Sequence, residues 1–101
     1  MNHVAPPPSE LCSARVLAYA VVDAEVTFTG RAEVYVDGKL LGSTPRVVLA
    51  QEFAEPHEHL LFYCTEDWEV LGAGGFASRP RAEAYAEARF QGISEKWQHV
   101  A

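Results

Sequence analysis

Runs of β-branched and aromatic residues fill most of the first three quarters of the chain, and this pattern is typical of β-strands. Residues 16–22 form a continuous apolar run that predicts a buried strand, and residues 25–29 alternate between apolar and polar as in a half-buried strand. Asp37-Gly38 separates two short β-rich runs and predicts a type I′ turn, because both turn positions need a positive φ. Further strands are predicted at residues 47–49, 59–64 and 69–71.

The last quarter changes to a helical period. Residues spaced as on one side of a helix are Ala82, Tyr85, Ala86, Arg89 and Phe90. Ser78 is suited to cap this helix, Pro80 to its first turn, and Gly92 to a left-handed position just after its end. Three arginines, Arg79, Arg81 and Arg89, are interpreted as part of an ordinary mixed helix surface.

Adjacent strands followed by one helix predict an α+β fold, with an antiparallel meander of five or six strands and one C-terminal helix packed on one face. The glycine-rich stretch 72–75 is interpreted as a bend between the last strand and the helix. Residues 1–13 contain three consecutive prolines and are predicted to be a disordered tail, with order beginning near Arg15. Residues 14–101 are then expected to form a single domain.

The charge of the chain is unevenly distributed. Residues 47–78 contain six acidic residues and no lysine or arginine, while the other eight acidic residues are balanced by eight lysines and arginines, which leaves a net charge of −6. Such a field favours a basic partner and disfavours nucleic acid and anionic membranes. The sequence shows neither a signal peptide nor an apolar run of membrane-spanning length, so we expect a cytoplasmic protein with no membrane partner.

The candidate contact surface is the acidic region 52–69, centred on Glu66, Asp67, Trp68 and Glu69. An exposed tryptophan among acidic residues can anchor a lysine- or arginine-bearing partner. Trp68 can equally fold back over the sheet edge as a core residue, and the sequence leaves both interpretations open. The first hypothesis is therefore a non-enzymatic protein-interaction module that binds a basic protein and needs no cofactor.

Two alternatives remain. His57 and His59 are separated by two positions, which would place them on one face of a strand and within reach of one metal ion, so a small metal-binding protein or enzyme is an alternative. Cys64 falls on the opposite face by the same count, together with Leu60 and Phe62, and is interpreted as a buried, unreactive thiol. A homodimer joined through strand edges is the third hypothesis.

Two stretches of the chain are similar to known families. The motif Ala32-x-Val34-x-Val36-Asp37-Gly38-Lys39-x-x-Gly42-x-Thr44-Pro45 resembles the signature of PEGA domains, small β-modules of bacterial proteins. The resemblance covers residues 31–69 at most and implies an all-β binding or structural unit without catalytic residues. PEGA modules usually lie in exported or membrane-attached proteins, often as repeats, whereas this chain has one copy and a predicted helix that they lack.

The second half of the chain resembles small uncharacterised bacterial α+β proteins, and this resemblance implies no activity. The segments that carry it are His59-Leu60-Leu61-Phe62-Tyr63-Cys64, Asp67-Trp68, Gly74-Gly75-Phe76, Gly92-Ile93-Ser94 and Trp97.

Overall fold

A curled antiparallel sheet with one helix packed on it forms the centre of the computed structural model, which describes residues 5–30 and 34–100. The α+β class, the antiparallel sheet of five or six strands and the C-terminal helix are confirmed. In chain order the elements are β1 (Glu10–Leu11), β2 (Ala14–Val21), β3 (Thr27–Phe28), β4 (Tyr35–Val36), β5 (Lys39–Leu40), β6 (Arg46–Glu52), β7 (His59–Cys64), β8 (Val70–Phe76), α1 (Arg79–Arg89), β9 (Phe90–Gln91), a 3₁₀ helix (Ile93–Glu95) and β10 (Gln98–His99).

The strands of the central sheet lie in the order β1-β2-β6-β7-β8, and β10 also pairs with β2. From β6 to β8 the sheet is a simple antiparallel meander. Between β2 and β6 the chain leaves the sheet, because β3 pairs with β9 and β4 pairs with β5 in separate two-stranded ladders. Among the described residues no helix is long and apolar enough to cross a membrane.

Strand β2 contributes to two hydrophobic cores, one on each face of the sheet. Burial alternates along its whole length, yet Ala14 and Val16 belong to one core, whereas Ala18 and Ala20 belong to the other. The register with β6 shifts between Val16 and Ala18, so Leu17 is an extra residue that reverses which face the following side chains occupy. This bulge lets one strand cover both faces.

The helix α1 covers one of these faces. Ala82 and Ala86 are fully buried against the sheet, and Ser78 caps the helix by accepting a hydrogen bond from the Arg81 main-chain N–H at 3.3 Å, as predicted. The helix ends at Arg89, because Phe90 has an extended conformation and pairs with β3. Trp97 packs against the same core.

Of the predictions for two glycine-containing segments, one is confirmed and one is wrong. Asp37 and Gly38 have φ values of 52° and 77°, so the predicted type I′ turn between β4 and β5 is confirmed. The predicted bend at residues 72–75 is wrong, because this stretch belongs to β8. A Cβ at Gly72 would lie 3.1 Å from Leu41 Cδ2 and 3.2 Å from Val34 Cγ1, so the glycine makes room for the hairpin β4–β5 to pack on the sheet.

The predicted tail, residues 1–13, contains the first strand. Residues 10 and 11 pair with residues 15 and 14, so the expectation that order begins near Arg15 is wrong for this hairpin. Ala5 also contacts the folded part of the chain, since its carbonyl oxygen accepts a hydrogen bond from the Trp68 indole. Residues 1–4 lie outside the described residues, and the assignment of residues 14–101 to one domain stays a prediction.

Candidate functional site

The acidic region 52–69 is not one surface. Glu52, Glu55 and Glu58 lie at the β6–β7 connection, whereas the other three acidic residues lie in the turn between β7 and β8. These connections stand at opposite ends of β7, whose six residues span roughly 20 Å. The predicted surface therefore divides into two groups, and the candidate site is reduced to residues 65–69, here called the acidic turn.

Hydrogen bonds to Thr65 define the conformation of the acidic turn. The Thr65 hydroxyl oxygen accepts from the main-chain N–H groups of Asp67 at 3.2 Å and Glu69 at 3.1 Å. The Thr65 N–H donates to the Glu69 carbonyl oxygen at 2.9 Å, and its own carbonyl accepts from the Trp68 N–H at 3.0 Å. The side chains of Glu66, Asp67 and Glu69 are all exposed. The turn therefore presents three carboxylates to solvent from a main chain held at several points.

Trp68 lies beneath this turn and is a core residue. Its side chain is 8% exposed, its indole N–H donates to the Ala5 carbonyl oxygen at 3.0 Å, and its ring meets Tyr19 edge-on with 5.4 Å between centroids. The Arg46 guanidinium lies 5.8 Å from the ring centroid. The hypothesis that Trp68 is an exposed partner anchor is therefore wrong, because burial and its hydrogen bond direct the indole into the protein.

The main chain at Trp68 is also strained. Its φ of 65° lies in the left-handed region, which bulky residues rarely adopt. Such a conformation costs about 1–3 kcal/mol and persists only where the surroundings stabilise it. The buried indole and the bonds to Thr65 provide that stabilisation, so the acidic turn is held from below by packing and from within by hydrogen bonds.

The carboxylates of the acidic turn form no ion pair within residues 5–30 and 34–100. Other carboxylates differ in this respect, since Lys96 pairs with Asp23 at 3.2 Å and with Glu25 at 2.5 Å. The negative charge of the acidic turn is therefore not neutralised by a neighbouring side chain in the described part of the chain.

The histidine pair is not brought to a third ligand. His57 lies exposed in the connection before β7, and only His59 belongs to the strand, so the expectation that both share a strand face is wrong. The His59 Nδ1 atom lies 3.3 Å from the His57 carbonyl oxygen. The described residues contain no group of three or more histidine, cysteine or carboxylate side chains suited to hold a metal ion.

Cys64 is fully buried at the other end of β7, in the same core as Leu60 and Phe62, as the alternation of the strand predicted. Burial raises the pKa of the Cys64 thiol to about 12. A thiol with this pKa carries almost no thiolate at neutral pH, which agrees with the interpretation of Cys64 as a buried, unreactive thiol.

Arg89 is the buried charged residue that the sequence analysis missed. It is fully buried, and its guanidinium carbon lies 5.1 Å from the Phe28 ring centroid and 5.0 Å from that of Tyr63. Its Nη2 donates to the carbonyl oxygens of Leu41 at 2.6 Å and Gly42 at 3.2 Å. The interpretation of Arg89 as helix surface is wrong, and its helical spacing relative to the buried face of α1 was the signal for its position.

The role of Arg89 is structural in this geometry. Its cation lies against aromatic rings and ties the chain after β5 to the end of α1. Burial raises the pKa of the nearby Tyr63 hydroxyl well above its ordinary range, although the positive charge of Arg89 lowers it in part.

No protein-family model matches the chain, and no curated protein or solved structure was found that matches it. The resemblances to PEGA domains and to small bacterial α+β proteins therefore stay predictions.

Proposed function

We propose that this chain is a non-enzymatic interaction module that binds a basic protein segment through the acidic turn. The observation that carries the proposal is the arrangement of Glu66, Asp67 and Glu69, which are exposed, lie on one short turn and form no ion pair in the described part of the chain. Carboxylates of this kind attract lysine and arginine side chains and accept hydrogen bonds from them.

The fixed main chain of the turn supports the proposal. Four hydrogen bonds to Thr65 and the buried Trp68 hold the turn before any partner arrives. Less conformational entropy is lost on binding when the binding segment is already ordered. The acidic turn thus differs from a flexible acidic loop of equal charge, which would have to be ordered by its partner.

Two variants with equal charge changes test the proposal. One neutralises the acidic turn with Glu66→Gln, Asp67→Asn and Glu69→Gln. The matched control neutralises the group at the opposite end of β7 with Glu52→Gln, Glu55→Gln and Glu58→Gln. Each variant removes three negative charges from a chain of net charge −6, so a difference between them reports position and not total charge.

The measurement is an NMR titration of the ¹⁵N-labelled chain with a synthetic lysine- and arginine-rich peptide. We expect shifts at the amides of residues 65–69 in the wild type and about a tenfold or greater rise in Kd for the acidic-turn variant, equivalent to about 1.4 kcal/mol. The control should change Kd by about twofold or less, and salt near 1 M should weaken binding because the screening length falls to about 3 Å. An equal rise in the peptide Kd for both variants would show that binding depends on net charge alone and would contradict the proposal.

A further inference from the structure

Residues 5–9 (Ala-Pro-Pro-Pro-Ser), here called the proline segment, lie against the folded chain and belong to no helix or strand. Hydrogen bonds hold the segment at its two ends. The Ser9 carbonyl oxygen accepts from the Val16 N–H at 2.9 Å, and the Ala5 carbonyl oxygen accepts from the Trp68 indole N–H at 3.0 Å. Between these two points the segment makes no hydrogen bond to the described residues. A segment attached at so few points opens at a low cost in free energy.

The contact at Trp68 has the chemistry of proline-rich recognition. Three consecutive prolines favour the extended polyproline II conformation, which leaves the carbonyl oxygens without partners inside the segment. Segments of this kind bind to surfaces lined with aromatic side chains. Here the rings of Trp68 and Tyr19 meet edge-on with 5.4 Å between centroids, and the indole N–H, which can only donate, is bonded to a main-chain carbonyl oxygen of the segment. Any extended chain provides such an acceptor, so the contact does not require this particular segment.

We propose that Trp68 and Tyr19 form a binding site for a proline-rich segment of a partner protein that carries lysine or arginine beside its prolines. The chain's own proline segment is then a replaceable occupant of this site. In one respect the proposal rests on the proposed function, because the acidic turn contains Trp68 and contacts the basic residues of the partner. Residues 1–9 contain no lysine or arginine, so the chain's own segment offers the acidic turn no such cation. A basic proline-rich segment gains this charged contact and replaces the resident one.

The direction of the proline segment specifies where the basic residues of a partner stand. Ser9 lies beside β2 and Ala5 lies at Trp68, so the N-terminal end of the segment is the end at the acidic turn. Cations that precede the prolines are therefore the ones closest to the three carboxylates. The probe is the peptide Arg-Lys-Val-Ala-Pro-Pro-Pro-Ser, which repeats residues 4–9 of the chain after two cations. Its neutral counterpart is Gln-Gln-Val-Ala-Pro-Pro-Pro-Ser.

Two variants of the full chain differ only in which proline is replaced by a charged residue. Pro7 is half-buried, whereas Pro8 is exposed. Pro7→Asp places a carboxylate where the segment is partly buried and favours its release, because burying an unpaired charge is costly. Pro8→Asp adds the same charge at an exposed neighbouring position and is the matched control. Circular dichroism spectra and melting temperatures check that both variants fold.

An NMR titration with these peptides follows the two indole N–H signals of the ¹⁵N-labelled chain. The Trp68 signal reports on the site, and the Trp97 signal is an internal control because Trp97 packs against the other core. We expect the basic peptide to shift the Trp68 signal of the wild type and to bind Pro7→Asp about tenfold more tightly, since the chain's own segment no longer competes. The Kd for Pro8→Asp should lie within about twofold of the wild type, and the neutral peptide should bind each chain about tenfold more weakly than the basic one.

A Trp68 signal that neither peptide shifts, in the wild type or in Pro7→Asp, would overturn the inference. Equal Kd values of the wild type and Pro7→Asp for the basic peptide would also overturn it, because the proline segment would then not compete for the site. The two peptides separate this inference from the proposed function. Equal binding of both peptides at Trp68 would support the proline site and contradict recognition by the acidic turn. Shifts at the amides of residues 66–69 without a shift of the indole would contradict the proline site alone.

Discussion

The burial of Trp68 makes a specific prediction about stability. We expect Trp68→Ala to lower the free energy of unfolding by about 3–5 kcal/mol, the range for removing a large buried aromatic side chain. The residue is 8% exposed, contacts Tyr19 and donates to the Ala5 carbonyl oxygen. A surface anchor for a partner would instead lower binding and leave stability nearly unchanged.

The magnitude follows from the environment of the indole. A buried aromatic side chain removes about 150–250 Å² from water, which at about 25 cal/mol per Å² corresponds to about 4–6 kcal/mol. This is an upper limit, because the unfolded chain already buries part of that area. The lost indole hydrogen bond contributes about 1 kcal/mol. Alanine also has a Cβ and is strained at a φ of 65°, as tryptophan is. The substitution therefore relieves no backbone strain that could compensate for the lost packing and hydrogen bond.

Equilibrium urea denaturation followed by far-ultraviolet circular dichroism measures this loss. A deletion of residues 1–8 tests the hydrogen bond separately, because it removes the Ala5 acceptor and keeps β1. We expect the deletion to cost about 1–3 kcal/mol in the wild type, where it leaves a buried donor without its acceptor. In the Trp68→Phe background it should cost about 1 kcal/mol less, since no indole donor is present.

Two results would refute this reasoning. The first is a loss below about 1 kcal/mol for Trp68→Ala, which would place the indole outside the core. The second is a deletion of residues 1–8 that costs the same in both backgrounds, which would show that the N-terminal segment does not act through the indole.

Three further predictions concern the turn, the glycine strand and the end of the helix. Gly38→Val should cost about 1–3 kcal/mol in urea denaturation, because Gly38 has a φ of 77°, and an unchanged midpoint would contradict the turn assignment. Gly72→Ala would place a Cβ 3.1 Å from an apolar side chain and should cost about 1–3 kcal/mol. Gly42→Ala, whose Cβ would meet nothing within 4 Å, is its control and should change stability by about 0.5 kcal/mol or less. Main-chain N–H groups of Gly92 and Ser94, after α1, donate to the Glu87 carboxylate and hold its pKa below its ordinary value of 4.5. The ionised Glu87 therefore adds to the free energy of unfolding above pH 4.5, and this stabilisation is lost as pH falls through the folded-state pKa. Glu87→Gln should therefore reduce the acid-induced loss of stability measured by urea denaturation at several pH values, and an unaltered pH dependence would contradict this.

Features that depend on a few neighbouring residues could be predicted from the sequence. The turn at Asp37-Gly38 needs positive φ at two adjacent positions, and the helix start needs a cap at Ser78. The face occupied by Cys64 followed from counting along one regular strand. In each case the residues that determine the structure are close together in the chain, so no knowledge of the tertiary fold was required.

Features that depend on distant partners could not be predicted in this way. Gly72 belongs to a strand because it pairs with Tyr63 of β7, and Leu41 and Val34 pack against the space that its missing side chain leaves. The bulge at Leu17 reverses the faces of β2 without disturbing its alternation of buried and exposed residues. Trp68 is buried in a core with Tyr19, and its indole donates to the carbonyl oxygen of Ala5 near the start of the chain. Local spacing contains none of these contacts.

The acidic region shows why charge counted along a β-rich chain is a poor guide to a surface. Residues 52–58 and 65–69 are close in sequence, but a complete strand lies between them and places them at opposite ends of the sheet. Residues 5 and 68 are far apart in sequence and are joined by a hydrogen bond. A binding site for a basic segment therefore has to be attributed to one end of β7 and not to the whole region. It is this separation that makes the group at residues 52–58 a matched control, since it carries the same charge on the same fold at a different place.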